Sequence, residues 1–444
     1  METFNPGYCT IEGATLTSFD KRKVDITTMI SHVKIDQDLN LSGYMVDVTI
    51  LDTIALIHNF PIRGEETLKL QMRSHDLQTV IILDLSLYSV SDVAIQGEKL
   101  LYTCSCVSTS TFKAAQEKII TSFRNHTASY CATQLFKKNY GQLTAEGSFE
   151  DGVIYKFKDG RKVKMQDSTN TMRVTIPDYA PAQAMQFLAA KAYNSRNLSS
   201  TYRFFETIEG YNFVTDEWLL QYAKENQAVK NLYYTPGDTI SRDPRQAERI
   251  VETLEYFNHS AHVNTSDDMS GGGYYNSVME IDLIQHWKKT YNYDYKKAQK
   301  KYKGMSGGSP KGAKHTNEFI EKTFKRNQTQ RVILRDWAPD GMGDVPEAIN
   351  RPQQNMREII SNRMAYNYHL QNTKVSAGMK GRIDIKPGEV IDLSTLEPSV
   401  ALSPEQNKRL QGKWLIMSTT HELDMNELIC KMELVKYDWD RGIV

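Results

Sequence analysis

Histidine spacing is the feature of this sequence that comes nearest to metal chemistry. His421-Glu422 begins like a zinc-protease helix, in which two histidines four residues apart bind the metal and the intervening glutamate activates water. Met425 stands where the second histidine is required, and Trp414–Thr420 favours a strand. His259 and His262 could share one helical face, but no cysteine or carboxylate with ligand spacing lies near them. We interpret them as solvated or structural histidines, so the sequence predicts no metal site and no cofactor.

Cysteine chemistry is equally limited. The cysteines are odd in number and scattered, which indicates neither a disulfide framework nor a zinc set. Cys104 and Cys106 lie two apart in a strand-like run, so their side chains should point to one face. We interpret them as buried free thiols, with a metal or redox pair as the alternative. The complete set is Cys9, Cys104, Cys106, Cys131 and Cys430.

Signatures of phosphate binding and nucleophilic catalysis are absent from the sequence. Gly271–Gly273 and Gly304–Gly308 are rich in glycine, but neither ends in the Gly-Lys-Ser/Thr that places a lysine on a phosphate, so both are predicted to be loops. There is no Gly-x-Ser-x-Gly elbow, and the carboxylates are too evenly spread to single out a glycosidase pair. The sequence therefore predicts no catalytic residue and no enzyme.

The stretch Lys288–Lys303 combines lysines with tyrosines. Cations interleaved with aromatic rings bind single-stranded nucleic acid, and a positive surface can also dock on an acidic neighbouring protein. The simpler interpretation is a solvated face beside a flexible loop, because Gly304–Pro310 has the composition of a linker.

Composition excludes several classes of protein. The 444 residues contain 54 Lys+Arg and 54 Asp+Glu, so the formal net charge is zero and a strongly basic nucleic-acid binder is excluded as a description of the whole chain. Hydrophobic residues make up 40% and charged residues 24%, as in soluble globular proteins. No apolar run is long enough to span a membrane, and the first residues do not resemble a signal peptide. We expect a soluble protein of about three domains, made in a cytoplasm.

The elements that would position any site begin with short strands. Alternating apolar and polar residues predict strands with one small helical turn at Asp52–His58, which is a pattern typical of a compact barrel or sandwich. Two regions follow: one of helices, strands and a hairpin at Glu209-Gly210, and one mostly of strands. The strands predicted in the first region are Val24–Ile35, Gly43–Leu51, Thr67–Arg73, Thr79–Val90 and Lys99–Val107.

Helices are predicted mainly in the middle of the chain. Apolar residues at helical spacing predict four of them, at Phe112–Phe123, Ala128–Lys138, Ala182–Tyr193 and Gln353–Gln371. Further strands are predicted at Thr201–Thr207, Tyr211–Val214, Arg249–Phe257, Tyr275–His286, Thr373–Met379, Arg382–Ile385, Val390–Leu393, Lys413–His421 and Glu427–Tyr437.

The order of these segments resembles that of a known family, the baseplate hub proteins of contractile-tailed bacteriophages. Gly43–Asp52, leading into Asn59–Glu66, is similar to the first tube domain of these hubs. The helix after Thr111, Ile176–Pro181 with the helix that follows it, and Arg203–Phe213 are similar to the connecting domain. Similarity to the second tube domain is found in Met364–Tyr368, Gly381–Ile385, Lys386–Leu393 and Trp414–Leu423.

This resemblance implies an α+β fold with two β-barrel-like tube domains, an α+β connecting domain and a Lys/Gly-rich insertion. The implied division is 1–108 for the first tube domain, 109–225 for the connecting domain and 226–286 for strands joining the second tube domain. The insertion or linker is 287–350, and 351–444 is the helix with the second tube domain.

The resemblance also implies a function in geometry rather than catalysis. Family hubs are homotrimers in the virion tail baseplate, assembled in the host cytoplasm, that match a sixfold tail tube to a threefold spike. Their partners are the spike on the distal side, a tube-initiator or tail-tube protein on the proximal side, and wedge or other baseplate proteins. Tape-measure protein and DNA pass through the channel during ejection. The family also implies a late, structural protein.

Two alternatives stay open. One is the spike-hub of a tailocin or of a secretion-type contractile injection system, which would usually carry a C-terminal spike. The other is a cell-wall hydrolase of the tail tip, although neither a lysozyme-like domain nor a catalytic constellation is visible.

Overall fold

The computed structural model describes residues 7–60, 62–75, 77–97, 99–149, 151–157, 160–196, 199–225, 229–234, 252–261, 271–272, 275–283, 286–294, 329–334, 359–364, 366, 374–395 and 412–436. The described chain is mostly β, and its helices cluster in the middle region. None of the described helices has the length and apolar character needed to cross a bilayer.

The first β region is an antiparallel set of seven strands. Period-two alternation forms them: in the fourth strand Val46, Val48 and Ile50 are buried while Asp47 and Thr49 are partly exposed. The short helix α1, Leu56–Asn59, ends just before Pro61. The strands are β1 Cys9–Thr17, β2 Lys23–Asp25, β3 Ile30–Asp38, β4 Met45–Asp52, β5 Thr67–Ser74, β6 Thr79–Gln96 and β7 Lys99–Ser108. Their spatial order is β3-β4-β7-β6-β5-β1-β2. The strands predicted from Gly43, Thr67, Thr79 and Lys99 are confirmed, but the single strand predicted over Val24–Ile35 is wrong, because a 3-10 turn at Thr27–Met29 separates β2 from β3.

The middle region combines a five-stranded sheet, a two-stranded sheet and four helices. Its elements are α2 Thr109–Gln116, β8 Ile119–Thr127, α3 Ala128–Asn139, β9 Thr144–Phe149, β10 Gly152–Lys156, β11 Lys162–Gln166, β12 Thr171–Tyr179, α4 Pro181–Lys191, β13 Tyr202–Thr207, β14 Gly210–Thr215 and α5 Asp216–Glu225. The larger sheet has the order β13-β14-β11-β10-β9, and β8 pairs with β12. The predicted helices beginning at Ala128 and Ala182 are confirmed, as is the hairpin at Glu209-Gly210.

One helix prediction in this region is wrong in its second half. The helix starting near Phe112 ends at Gln116, and the residues from Ile119 onward form a strand. Ile119 and Phe123 are four residues apart, which suits one helical face, but it equally suits one face of a strand. Pairing with β12, where Phe123 lies opposite Val174, decides for the strand.

The second β region is built from strands β15 to β17 and β21 to β24. They are β15 Lys230–Tyr234, β16 Thr253–Leu254, β17 Tyr256–Ala261, β21 Lys374–Lys380, β22 Val390–Thr395, β23 Gly412–Asp424 and β24 Glu427–Val435. The strands predicted from Thr373, Val390, Lys413 and Glu427 are confirmed. Of the predicted helix Gln353–Gln371, residues 359–364 are helical, and most of the others lie outside the described residues.

Arg382–Ile385 was predicted to be a strand, which is wrong. Ile383 and Ile385 are fully buried, so the apolar alternation is real. Gly381, with φ of 76°, starts a turn instead, and the guanidinium of Arg382 donates to the carboxylate of Asp384 at 2.7 and 2.9 Å. The alternation therefore comes from a local ion pair with two buried isoleucines, without any ladder hydrogen bonds.

A separate three-stranded sheet is formed by one strand just before the predicted insertion 287–350 and two strands within it. It consists of β18 Tyr275–Asp282, β19 Trp287–Asp294 and β20 Thr329–Leu334. β19 runs antiparallel to β18, and β20 runs parallel to it. The first half of the Lys/Tyr-rich stretch is thus a strand, and Lys288 and Lys289 are exposed on it, as expected for a solvated face. The loop Gly304–Gly308 lies outside the described residues.

The two β regions share a continuous sheet of 14 strands. β3 of the first region pairs with β23 of the second in antiparallel register, from Asp38 opposite Ser418 to His32 opposite Asp424. Each of the three regions has a buried apolar cluster, and that of the first β region also includes Ile383, Leu423 and Leu428 of the second. A fourth cluster, including Leu39, Phe205 and Leu415, joins residues from all three regions.

Candidate assembly surfaces

The seam between the β regions is fixed by side chains as well as by backbone pairing. Gln37, which is almost fully buried, donates to the hydroxyl of Thr419 across the seam at 3.4 Å. Its carbonyl oxygen accepts from the backbone N–H of Ile208, in the middle region, at 3.0 Å. Thr420 donates to Asp36 at 2.6 Å. One glutamine therefore connects the three regions at a point where none of its polar atoms meets bulk water.

Glu206, on β13, ties the middle region to the first β region. Its carboxylate is buried and accepts from the hydroxyls of Ser108 and Thr111 at 2.7 Å each. Arg161 lies 3.4 Å away, and the hydroxyl of Tyr211 is within hydrogen-bond distance of Thr111. Burial raises the pKa of Glu206 to about 7 in spite of these donors, because removal from water penalises the charged form.

Replacing Glu206 with glutamine should change how stability depends on pH. The folded pKa is raised, so between about 4.5 and about 7 the folded chain holds a proton that the unfolded chain releases. That contribution to stability is present at low pH and is lost as pH rises through about 7. Glu206→Gln stays neutral and should remove this loss, as measured by urea unfolding across the range.

The exposed Glu146 offers a matched control for that experiment. Glu146→Gln removes a carboxylate whose ion pair with Lys156 is on the surface, so the pH dependence should stay that of the natural chain. If Glu206→Gln and Glu146→Gln give the same pH profile, the buried carboxyl does not carry the effect.

Charged side chains connect the middle region to the second β region. Lys386 pairs with Glu209, which is in the turn between β13 and β14. Lys230 lies 2.9 Å from Asp384 and 2.8 Å from Glu389. Although burial favours the neutral form, Arg382 and Lys230 hold the pKa of Asp384 well below its usual value, and Lys386 holds the pKa of Glu209 below its own. This network borders the apolar cluster shared by the three regions, so it orients β22 against the middle region.

Similar folds occur among solved structures. The chain aligns with the tail protein from Neisseria meningitidis over 97% of its length and 98% of that chain, at 10% identity and a TM-score of 0.51. It aligns with the 43 kDa tail protein of prophage MuSo2 from Shewanella oneidensis over 96% of its length and 99% of that chain, at 9% identity and a TM-score of 0.52. The chain has the fold of these phage tail proteins.

Structural alignment also finds a more distant similarity, whereas comparison of the sequence with family models and curated proteins finds no match. A component of the type VI secretion system of E. coli aligns with 98% of this chain and 78% of its own, at 8% identity and a TM-score of 0.43. No protein-family model matches the sequence. No curated protein sequence matches it either. The alignments with the Neisseria and Shewanella tail proteins confirm, as a likeness of fold, the resemblance inferred from the order of segments.

Within this tail-protein fold, the described histidines that were selected by their spacing do not belong to a cluster of metal ligands. His421 is on β23, buried, with its Nε2 at 3.2 Å from the carbonyl oxygen of Arg382, and burial lowers its pKa to about 4. Met425 is in the turn after β23, so the strand interpretation is confirmed. His259 is on strand β17, so the helical face considered for it is wrong, and His262 lies outside the described residues. No group of three potential metal ligands occurs in the described part of the chain.

The predicted thiols and loops have the following outcomes. All five cysteines are buried and free, and burial raises the pKa of Cys104 to about 12, so buried thiols are confirmed. Gly271 and Gly272 lie in a turn, and Gly273 is outside the described residues. In the Lys/Tyr-rich stretch, Lys289 lies 5.4 Å from the ring centroid of Tyr291 on β19. In the described part of the chain His421 lies opposite Cys430 in the β23–β24 register, but no cluster of metal ligands includes this buried pair.

The residues that join the regions of the tail-protein fold were missed by sequence analysis. Gln37 and Glu206 lie in strands whose pattern predicts partners across a sheet but gives no sign of which polar side chains will meet. Glu206 does interrupt an apolar run after Phe204-Phe205. A carboxylate within a buried strand is a signal for a satisfied polar cluster, since burial of an unpaired charge is costly.

Proposed function

We propose that this protein is a structural component of a contractile phage tail, and that it is the central hub of the baseplate. The observation that supports the proposal best is the fold shared over nearly the whole length with phage tail proteins. In this proposal the hub is a homotrimer that adapts a sixfold tail tube to a threefold spike. Its β regions surround the channel for tape-measure protein and DNA.

The continuous sheet is compatible with this role. Two β regions placed side by side by the β3–β23 pairing give each chain two units, so three chains would supply six around a ring. In the described part of the chain the sheet ends at the short strands β2, β16 and β17, and these edges need cover because exposed edges promote uncontrolled association. In the proposal the neighbouring chains provide that cover, and the spike and the tube-initiator or tail-tube protein bind at opposite ends, with wedge proteins outside.

The test is the mass and symmetry of the full chain, alone and coexpressed with its spike protein. Native mass spectrometry should give a three-chain species, and electron microscopy should give rings with threefold symmetry. A chain that stays monomeric in the presence of the spike contradicts the hub. A hub that carries its own fused spike in the complete protein would instead favour the tailocin or secretion-type system.

We also propose that the protein has no enzymatic activity of its own. A zymogram on purified cell-wall substrate checks this, and no lysis is expected. Lysis that is abolished by replacing one carboxylate would contradict the proposal and favour a tail-tip hydrolase.

A further inference from the structure

A cleft of about 430 Å³ opens where the first β region meets the middle region. Its walls come from β1, β5 and β6 on one side, and from α2, the end of α3 and the residue before β11 on the other. It does not include Gln37 or Glu206, which join the regions. The lining residues are Thr17, Thr67, Leu68, Lys69, Asp84, Leu85, Thr109, Ser110, Lys113, Asn139, Tyr140 and Arg161.

The cleft carries an excess of positive charge. Lys69, Lys113 and Arg161 reach it from three different elements. One carboxylate, Asp84, lines the cleft opposite Lys69 in the β5–β6 register, and the buried Glu206 lies behind the lining at 3.4 Å from Arg161. Among the described residues, neither lysine ammonium is within 4 Å of a carboxylate oxygen. Both lysines are exposed, so their charges are available to a ligand at the cost of little desolvation.

Hydrogen-bond donors accompany these cations. Arg161 is held in place by a bond from Nη1 to the hydroxyl of Ser110 at 2.9 Å, which keeps its guanidinium at the cleft. The hydroxyl of Tyr140 is shielded from solvent and has no hydrogen-bond partner within the described chain. Because it is shielded, this hydroxyl is not available to a ligand, and the donors that the cleft offers are Arg161 and the two lysines.

The size and layout of the cleft favour an extended ligand over a small ion. Its volume is several times that of a phosphate ion, and the cations are distributed over β5, α2 and the β10–β11 connection. Leu68 and Leu85 also border the cleft, but their side chains are buried in the core of the first β region and do not contribute an apolar wall. We propose that this cleft binds an acidic peptide segment of a neighbouring protein, with its carboxylates on Lys69, Lys113 and Arg161. The proposal does not depend on a trimer or on the hub assignment.

Fluorescence anisotropy with the full-length protein tests the proposal. The probe is a rhodamine-labelled octapeptide of alternating glutamate and alanine, compared with the same peptide carrying glutamine for glutamate. We expect saturable binding of the glutamate peptide only, weakened by raising the salt from about 50 to about 500 mM. The double variant Lys69→Gln/Lys113→Gln should bind at least about tenfold more weakly, since each lost charge contact weakens a complex several-fold.

The matched control is Lys118→Gln/Lys138→Gln, which removes the same charge from exposed lysines of the same neighbourhood that do not line the cleft. It should keep the affinity within about twofold, and both double variants should unfold at the same temperature as the natural chain. Equal weakening by both double variants overturns the site, because it indicates a general charge effect. Absence of binding overturns it, and so does an equal affinity for the glutamine peptide. Inorganic phosphate that binds where the peptide does not overturns the peptide as the occupant.

Discussion

Gly210→Ala should destabilise the protein by about 3 kcal/mol or more, because it places a methyl group inside a neighbouring backbone. Gly210 starts β14 with φ of 139°, and a Cβ atom there would lie 1.9 Å from the carbonyl oxygen of Lys162. Lys162 is the parallel partner of Gly210, on β11, and its N–H donates to Glu209 at 2.9 Å. Neither strand can retreat without breaking the five-stranded sheet of the middle region.

Gly160→Ala is the control that separates the steric clash with Lys162 from the cost of a positive φ for alanine. Gly160 also has a positive φ, of 94°, but no atom lies within 4 Å of the site where its Cβ would be. We expect a loss of about 1 kcal/mol, which is the cost of a left-handed conformation for alanine. Urea unfolding followed by tryptophan fluorescence measures both variants. Equal losses would mean that conformational preference, rather than contact with Lys162, makes Gly210 necessary.

The strands were predictable where alternation is uninterrupted. β4, β5 and β7 keep period two from end to end, and each was predicted to within two residues. β1 was missed because a bulge between Ile11 and Gly13 shifts its register and breaks the alternation. The sequence pattern of a strand records burial, so a strand whose residues change face is hidden from it.

One missed helix did carry a local signal. α5 begins after Thr215, whose hydroxyl accepts from the N–H of Trp218 at 3.1 Å, and Asp216 and Glu217 are acidic residues in its first turn. A threonine followed by carboxylates and an apolar residue is typical of a helix start. The strand β14 ends at the same threonine, so its strand pattern runs directly into the helix start and obscures it.

The contacts between the regions could not be predicted, for a different reason. Glu206 meets Ser108 and Thr111, and Gln37 meets Thr419, across sequence separations of 98, 95 and 382 residues. These side-chain hydrogen bonds depend on how β3, β13 and β23 are placed relative to one another in the fold. A single sequence reports the burial of each strand and carries no record of which strands are neighbours.

Arg203→Met should destabilise the protein by about 3 to 5 kcal/mol, because it leaves a buried carboxylate without its cation. Asp216 has no exposed surface, and Arg203 donates to its two oxygens from Nε at 2.8 and 3.0 Å and from Nη2 at 3.0 Å. Arg203 also donates from Nη1 to the side chain of Asn40, in the turn between β3 and β4. The same guanidinium therefore orders the start of α5 and joins the middle region to the first β region.

The surface pair Arg22–Asp20 is the matched control, at 2.7 Å but with side chains 54% and 40% exposed. Arg22→Met should change the free energy of unfolding by less than about 1 kcal/mol, since water already solvates both charges. The double variant Arg203→Met/Asp216→Asn should recover part of the loss, because it removes the unpaired charge as well. If the double variant were as unstable as the sum of its single variants, the loss would come from packing and from the Asn40 contact. Partial recovery of stability in the double variant would instead show that the loss comes from the buried charge of Asp216, which needs the charge of Arg203 beside it.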